Sequence, residues 1–296
     1  MNFANVKSLT IPEGSVKKIS VNGVDIWQKS APVPSGPWEE LFASINAGTY
    51  RTDYSIGDLI PLDLGTEGSI NMQIAGFDCD PLAAGGNYAA VSLISKELLT
   101  TSHRMNPART PSSAPYDEGT GTIGGWEKSE MRSYLKNTIK PLIPSAVRNA
   151  IVEVTKTQIS YTVSGSSETQ TTTDDVWIPS RSEIQTSEAI YPVLFPDSAS
   201  RKKSKVGGSA TQWWTRQAYS SSNFYPYTSS GSPTNDPANF SYGVALGFCV
   251  GVGAPLPSAA MLLNTMTRPT AYNPALDDGE DIPDEQALEI ITGGEN

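Results

Sequence analysis

Residues 213–242 read WWTRQAYSSSNFYPYTSSGSPTNDPANFSY, and their chemistry differs from that of the rest of the 296-residue chain. They hold seven Ser, four Tyr, three Asn, two Phe and two Trp. Arg216 and Asp236 are the only charges, and Lys, Glu, Leu, Ile, Val and Met do not occur. A core segment needs aliphatic side chains, and an ordinary solvated loop carries more charge and fewer rings. Binding loops use this mixture for a physical reason. Tyr offers a large amphipathic contact at low entropic cost, while Ser, Gly and Asn adapt their hydrogen bonds. Each buried ring removes roughly 150–250 Å² from water, so a few anchors can dominate an interface. The bland alternative, an irregular cover over a core, is left open by composition alone.

Upstream, the patterning predicts short strands and few helices. Ser15–Val21 and Val24–Gln28 flank Asn22-Gly23, a pair suited to a tight type I′ turn, so residues 1–29 read as a β-hairpin module. So small a hairpin buries little by itself and is expected to dock on a neighbour or a second copy. The run Ser30–Pro37 reads as a Pro/Ser linker. Trp38, Leu41, Phe42 and Ile45 then fall on one helical face. Strands are predicted at Leu59–Leu64, Ile70–Phe77 and Ala89–Ile94. An amphipathic helix is predicted over Glu127–Ile139, with Met131, Tyr134, Leu135 and Thr138 along one side, and a short helix over Ser145–Ile151. Ile151–Lys156 and Gln158–Val163 read as paired strands, and the polar run Ser164–Thr173 as a loop. Ser180 and Glu183 have capping-box spacing. The whole predicts an α+β domain over residues 38–266 with two or three helices and long loops, followed by a tail at 267–296.

The formal net charge of −10 is concentrated in that tail, where Thr270–Asn296 holds eight acidic residues and no basic one. The body is nearly neutral, which speaks against a nucleic-acid partner. The run Arg201-Lys-Lys-Ser-Lys205 reads as a solvated loop. The longest apolar stretch, Tyr242–Ala254, is too short to span a bilayer, so no membrane insertion is expected. No basic region with an apolar run follows Met1, so synthesis in the bacterial cytoplasm without a signal peptide is expected. Cys79 and Cys249 sit in apolar surroundings and read as buried free thiols.

Catalytic chemistry is hard to find. The lone His103 has no partner histidine, and no nucleophile elbow or phosphate-binding loop occurs. Asp78 with Asp80, and Asp174 with Asp175, read as turn caps, since no loop carries an EF-hand ligand series. No metal, cofactor or catalytic residue is therefore assigned, and the chain is expected not to be an enzyme.

Several blocks carry a resemblance. They are Gly124-Gly125-Trp126 with Met131-Arg132-Ser-Tyr-Leu135, Pro141-Leu-Ile-Pro144, and Asp175-Val-Trp177-Ile-Pro179-Ser180-Arg-Ser-Glu183. Trp213-Trp214-Thr-Arg216 and Tyr242-Gly243-Val-Ala-Leu-Gly-Phe248 complete the set. In order and spacing, over roughly residues 38–252, they resemble a domain of phage and prophage proteins. The segment Lys7–Trp27 is similar to an N-terminal element of phage structural proteins. The last third resembles the variable proteins of diversity-generating retroelements, relatives of a phage tropism determinant. That resemblance implies a C-type lectin-like fold and a receptor- or ligand-binding role on a virion, against a host surface protein or glycan. It makes Tyr219, Ser220, Ser222, Asn223, Phe224, Tyr225, Tyr227, Ser229, Ser230, Asn235, Asn239 and Ser241 the candidate contact positions. Trp213, Trp214 and Val244–Phe248 become scaffold. It also implies contact with other virion proteins through residues 1–29, and by analogy with fibre proteins a homo-oligomer. In that group the variable stretch lies close to the chain's end, whereas some fifty residues follow it here. A structural or decoration protein without its own ligand, and a surface-polysaccharide hydrolase, are the competing readings.

Overall fold

The computed structural model describes residues 18–21, 24–28, 36–185 and 189–253. The chain divides after Ala254 into two units, and every described residue belongs to the first. In the N-terminal hairpin β1 (Lys18–Val21) pairs antiparallel with β2 (Val24–Gln28), Val21 opposite Val24. The remainder of the 1–29 module, linker residues 30–35, and 254–296 with the acidic tail lie outside the described residues.

Pro37, expected to end the linker, opens α1 (Pro37–Ala47), where its missing N–H would have had no helical partner anyway. Trp38 and Leu41 are buried, Phe42 and Ile45 pack on the core edge, and Gly48 ends the helix in the left-handed region at φ 75°. A single turn, α2 (Tyr50–Asp53), follows. The three expected strands form as β3 (Leu59–Asp63), β4 (Ser69–Phe77) and β5 (Ala89–Ser95), each antiparallel to the next. On β3 burial alternates, with Ile60 and Leu62 inward, whereas β5 is buried along its whole length.

The helix predicted over Glu127–Ile139 is shorter and changes character. Ser129 caps α3 (Glu130–Tyr134) by accepting from the Arg132 amide, and a π-helical turn then spans Leu135–Ile139. The wider turn carries Ile139 inward with Met131 and Leu135 and leaves Thr138 exposed. The second helix is the single turn α4 (Ser145–Arg148).

The next expectation needs a larger correction. Ile151–Lys156 and Gln158–Val163 do not pair with each other. Instead β6 (Ile151–Val152) is separate, and β7 (Val154–Tyr161) pairs over its full length with β8 (Ser167–Asp174), the run read as a loop. Its polar side chains serve a strand because two of them are needed inside. Asp174 accepts from Trp126 Nε1 at 3.1 Å and from Arg132 Nε at 2.6 Å, and Thr172 donates to Asp174. Short elements complete the chain: β9 (Val176–Trp177), α5 (Arg181–Ile184), β10 (Lys203–Ser204) and β11 (Ala210–Thr211). After them come β12 (Trp213–Ala218), β13 (Asn223–Tyr227), β14 (Asp236–Pro237) and β15 (Gly247–Val252).

The molecule is thus mixed helix and sheet, mostly strand with few helices. Its main sheet runs β3-β4-β5-β15-β6, with β9 also on β15, and curls as an antiparallel half-barrel. Trp126, Trp177, Trp213, Trp214 and Phe248 fill the core without exposed surface. Gly247 is required beneath Trp177, since a Cβ there would lie 2.3 Å from the indole ring.

The basic run is not a solvated loop. Arg201 and Lys203 are both buried: Arg201 donates to the Gly231 carbonyl, and Lys203 Nζ donates to the Ser95 carbonyl. Burial pushes the Lys203 ammonium down to about 7 from its ordinary 10.5. Between these values the unfolded chain holds a proton that the folded chain lacks, so stability rises with pH across that window. Lys203→Met is expected to raise Tm at pH 6 and to flatten this rise. Melting curves from pH 6 to pH 10 check it, and a lower Tm with an unchanged slope would show that the ammonium stabilises the fold.

Candidate binding face

β12, β13 and β14 form a three-stranded antiparallel sheet with a register irregularity between Trp214 and Ala218, and burial sorts the aromatic segment into two sets. Trp213, Trp214, Phe224 and Tyr227 face inward with no exposed surface. Trp213 stacks on Tyr227 at 5.1 Å, Trp214 meets Phe224 edge-on, and Tyr227 Oη donates to Gln185 at 3.1 Å. Phe224 and Tyr227, expected as contact positions, are therefore core residues. Their rings fill space beside the Trp pair that no aliphatic side chain of the segment is present to fill.

The other ten expected positions reach solvent. Tyr219, Ser229, Ser230, Asn235, Asn239 and Ser241 are exposed, and Ser220, Ser222, Asn223 and Tyr225 are half-buried. The structure ties several of them together. Tyr219 and Tyr225 meet edge to face at 5.1 Å. Asn223 Nδ2 donates to Asn235 Oδ1 at 2.9 Å across the strands. Ser229 and Ser230 lie on the separate turn after β13, where Gly231 takes φ 79°. The scaffold residues Trp213, Trp214 and Val244–Phe248 are all buried.

Sequence reasoning missed several neighbours. Arg181, at the first turn of α5, lies with its guanidinium 4.7 Å over the Tyr225 ring. Its Nε is buried without a hydrogen-bond partner. Tyr161, at the end of β7, donates to the Tyr219 carbonyl at 2.8 Å and so brings the β7–β8 hairpin to the face. A cavity of about 160 Å³ opens beside Ser222 and Asn239, walled by Arg109, Tyr116 and Gly121. The Arg109 guanidinium sits 4.0 Å over the Tyr116 ring while Nη1 donates to the Ala114 carbonyl. The walls are fastened to each other: Thr122 N donates to the Ser221 carbonyl, Thr122 Oγ1 to the Ser220 carbonyl, and Asn106 Nδ2 to the Gly121 carbonyl.

Beneath β12 lies a buried charge network. Lys156 Nζ reaches Asp80 Oδ1 at 2.5 Å, Glu183 Oε1 at 3.1 Å and Tyr191 Oη at 2.9 Å. Arg216 forks onto both Glu183 oxygens at 2.7 and 2.5 Å. Asp80 Oδ2 accepts from Ser92 Oγ and Tyr191 Oη. Burial raises the Asp80 carboxyl, but the Lys156 charge together with hydrogen bonds from Lys156, Ser92 and Tyr191 outweighs it and holds the group below its ordinary value. Glu183 is lowered in the same way, burial being overcome first by Arg216 and then by Lys156. The capping box at Ser180 does form, yet Glu183 also serves this network, a role the spacing did not disclose. Asp80 and Asp174, read as turn caps, are buried ion-pair partners instead. Both thiols are free, and Cys249 lies 3.4 Å from Asp80 Oδ2. A larger cavity, about 550 Å³, lies above Asp80 and Glu183, edged by Tyr88 and Gln217. His103 is held by the Arg104 carbonyl and stacks on Tyr134 at 4.0 Å. Among the described residues no three His, Cys, Asp or Glu side chains converge as metal ligands, and no helix is long and apolar enough to cross a membrane.

A family model described as Domain of unknown function (DUF6273) matches residues 91–252, more than half of the chain. The chain belongs to that family. No curated protein and no solved structure matches it. The DUF6273 region runs from within β5 to the end of β15 and contains the whole candidate face, the charge network except Asp80, and the Arg109–Tyr116 and Arg181–Tyr225 contacts. The strands β3 and β4 and the helix α1 lie upstream of it.

Proposed function

We propose that this chain is a non-enzymatic ligand-binding protein of a phage or prophage, displayed on the virion, that grips a host surface protein or glycan through the outer side of β12–β14. The C-type lectin-like identity of the fold is part of the proposal. Its supports are the curled antiparallel sheet, the buried Trp pair ahead of the ring-and-hydroxyl strand, and the closing strand β15. Synthesis in the bacterial cytoplasm and assembly with other virion proteins through residues 1–29 complete the reading.

One observation carries it. Strand β13 locks Phe224 and Tyr227 into the core while leaving Tyr225 half-buried on the outer side, and Tyr219, just after β12, packs on it and is 45% exposed. Rings fixed on a rigid support lose little entropy on binding, which favours a recognition surface over a loose cover. The charge network supports the non-enzymatic reading against the hydrolase. A glycosidase acid needs a raised pKa, whereas Asp80 and Glu183 are both lowered by their cationic partners.

Adsorption of the purified full chain to host cells tests the proposal. Replacing Tyr219 and Tyr225 together with Ala is expected to weaken adsorption about 30-fold or more. The melting temperature should stay close to that of the parent, because neither ring is buried. Undiminished adsorption by the double variant would overturn it.

A further inference from the structure

Arg109 and Arg181 share an arrangement that the aromatic segment does not explain. Each guanidinium lies over a tyrosine ring, Arg109 4.0 Å from the centre of Tyr116 and Arg181 4.7 Å from that of Tyr225, and neither has a carboxylate partner among the described residues. By contrast Arg51, Arg104, Arg132 and Arg216 each pair with an acid. The acid nearest Arg109 in sequence, Asp117, accepts instead from Thr120 Oγ1 at 2.6 Å. A guanidinium has five donors in a rigid fork, and stacking leaves its edge free to bind. Arg109 uses one donor on the Ala114 carbonyl and keeps the others. Its side chain forms part of the wall of the 160 Å³ cavity, together with Ser222 and Asn239 from the binding face.

The dimensions and lining select a ligand class. A cavity of about 150 Å³ accepts one six-membered carbon ring, and this one opens to solvent, so it has room for the ring of a single pyranose whose substituents reach out of its mouth. Ser222 and Asn239 offer hydroxyl and amide groups for sugar hydroxyls, and Arg109 offers a planar fork for a planar or tetrahedral oxyanion. An uncharged sugar would leave the Arg109 edge unpaired. We propose that the ligand of this face is an anionic sugar chain, one ring of which enters the Arg109–Tyr116 cavity with its acidic group on Arg109. Arg181 beside Tyr225 is placed to meet a further acidic group of the same chain. The inference rests on the binding function proposed above and names the class of its ligand.

Binding of the full chain to three probes tests it: polygalacturonate oligomers, the same oligomers as methyl esters, and a hexopyranosyl 1-phosphate polymer. Tight binding to polygalacturonate but not to its ester assigns a carboxylate, and preference for the hexopyranosyl phosphate polymer assigns a phosphodiester. Arg109→Gln is expected to weaken whichever binding is found about tenfold or more. Arg109→Lys, which keeps the charge but not the fork, should recover only part of it, and affinity should fall as salt rises. Melting curves of both variants verify that the fold is kept. Equal binding to the acid and ester forms, no binding to any probe, or an Arg109→Gln variant as tight as the parent would overturn the inference. If host-cell adsorption still depends on Tyr219 and Tyr225 in that case, the binding function stands without it. If that dependence is missing as well, both fall.

Discussion

Tyr227→Ala is expected to lose about 3–5 kcal/mol of stability, the range for deleting a fully buried aromatic side chain. For a domain of this size that lowers Tm by roughly 10 °C. The ring has no exposed surface, stacks on Trp213 and anchors its hydroxyl on Gln185. Two positions earlier the same substitution should behave in the opposite way. Tyr225→Ala removes a half-buried ring on the outer side and should change stability by less than about 1 kcal/mol. Urea titrations of the two single variants, run beside cell adsorption, separate packing from recognition. Equal destabilisation by both would mean that the outer ring is also a core element, and the proposed binding face would lose its main anchor.

Arg216→Met is expected to be at least as damaging. Removing one partner from a buried ion network strands the other charge, at about 3–5 kcal/mol. Glu183 would keep only Lys156 and the Ser180 amide. The acid limb of the stability curve checks the cause. The Asp80 and Glu183 carboxyls are held below their ordinary values of 3.8 and 4.5. Their contribution is therefore complete above those values and is lost as pH falls through the lower, folded-state ones. The parent should weaken steeply in acid below pH 4, and Arg216→Met should start lower and fall less steeply. Adding Glu183→Leu should restore part of the loss, because the stranded carboxylate is removed and Lys156 keeps Asp80. A single variant as stable as the parent would show that the fork on Glu183 adds nothing to the fold.

The parts of the fold legible in the sequence were those set by local apolar content. Leu59–Asp63, Ser69–Phe77 and Ala89–Ser95 form strands almost where periodicity places them, because their inward side chains are aliphatic. Where polar side chains do the inward work, local reading fails. Ser167–Asp174 reads as a loop until Arg132 and Trp126, some forty positions upstream, are brought to Asp174. Arg201 and Lys203 read as solvated until backbone carbonyls at Gly231 and Ser95 are found to receive them. The aromatic segment stands out by composition, but its phase does not. A register irregularity between Trp214 and Ala218, and the burial of Pro226 and Tyr227 in succession, break the simple alternation that would have separated inner from outer rings. Arg109, Tyr116 and Arg181 carried no local signal, since their importance arises only from stacking and from walls joined across the chain.

Strand β15 is the last described element in chain order, yet it is hydrogen-bonded to β5, β6 and β9 at the middle of the sheet. A ribosome delivers it after all of those partners. Until residue 252 emerges, the hydrophobic flank of β5 has no neighbour, and an unpaired apolar edge is the kind of surface on which nascent chains aggregate. Closure of the half-barrel is therefore a late event of synthesis.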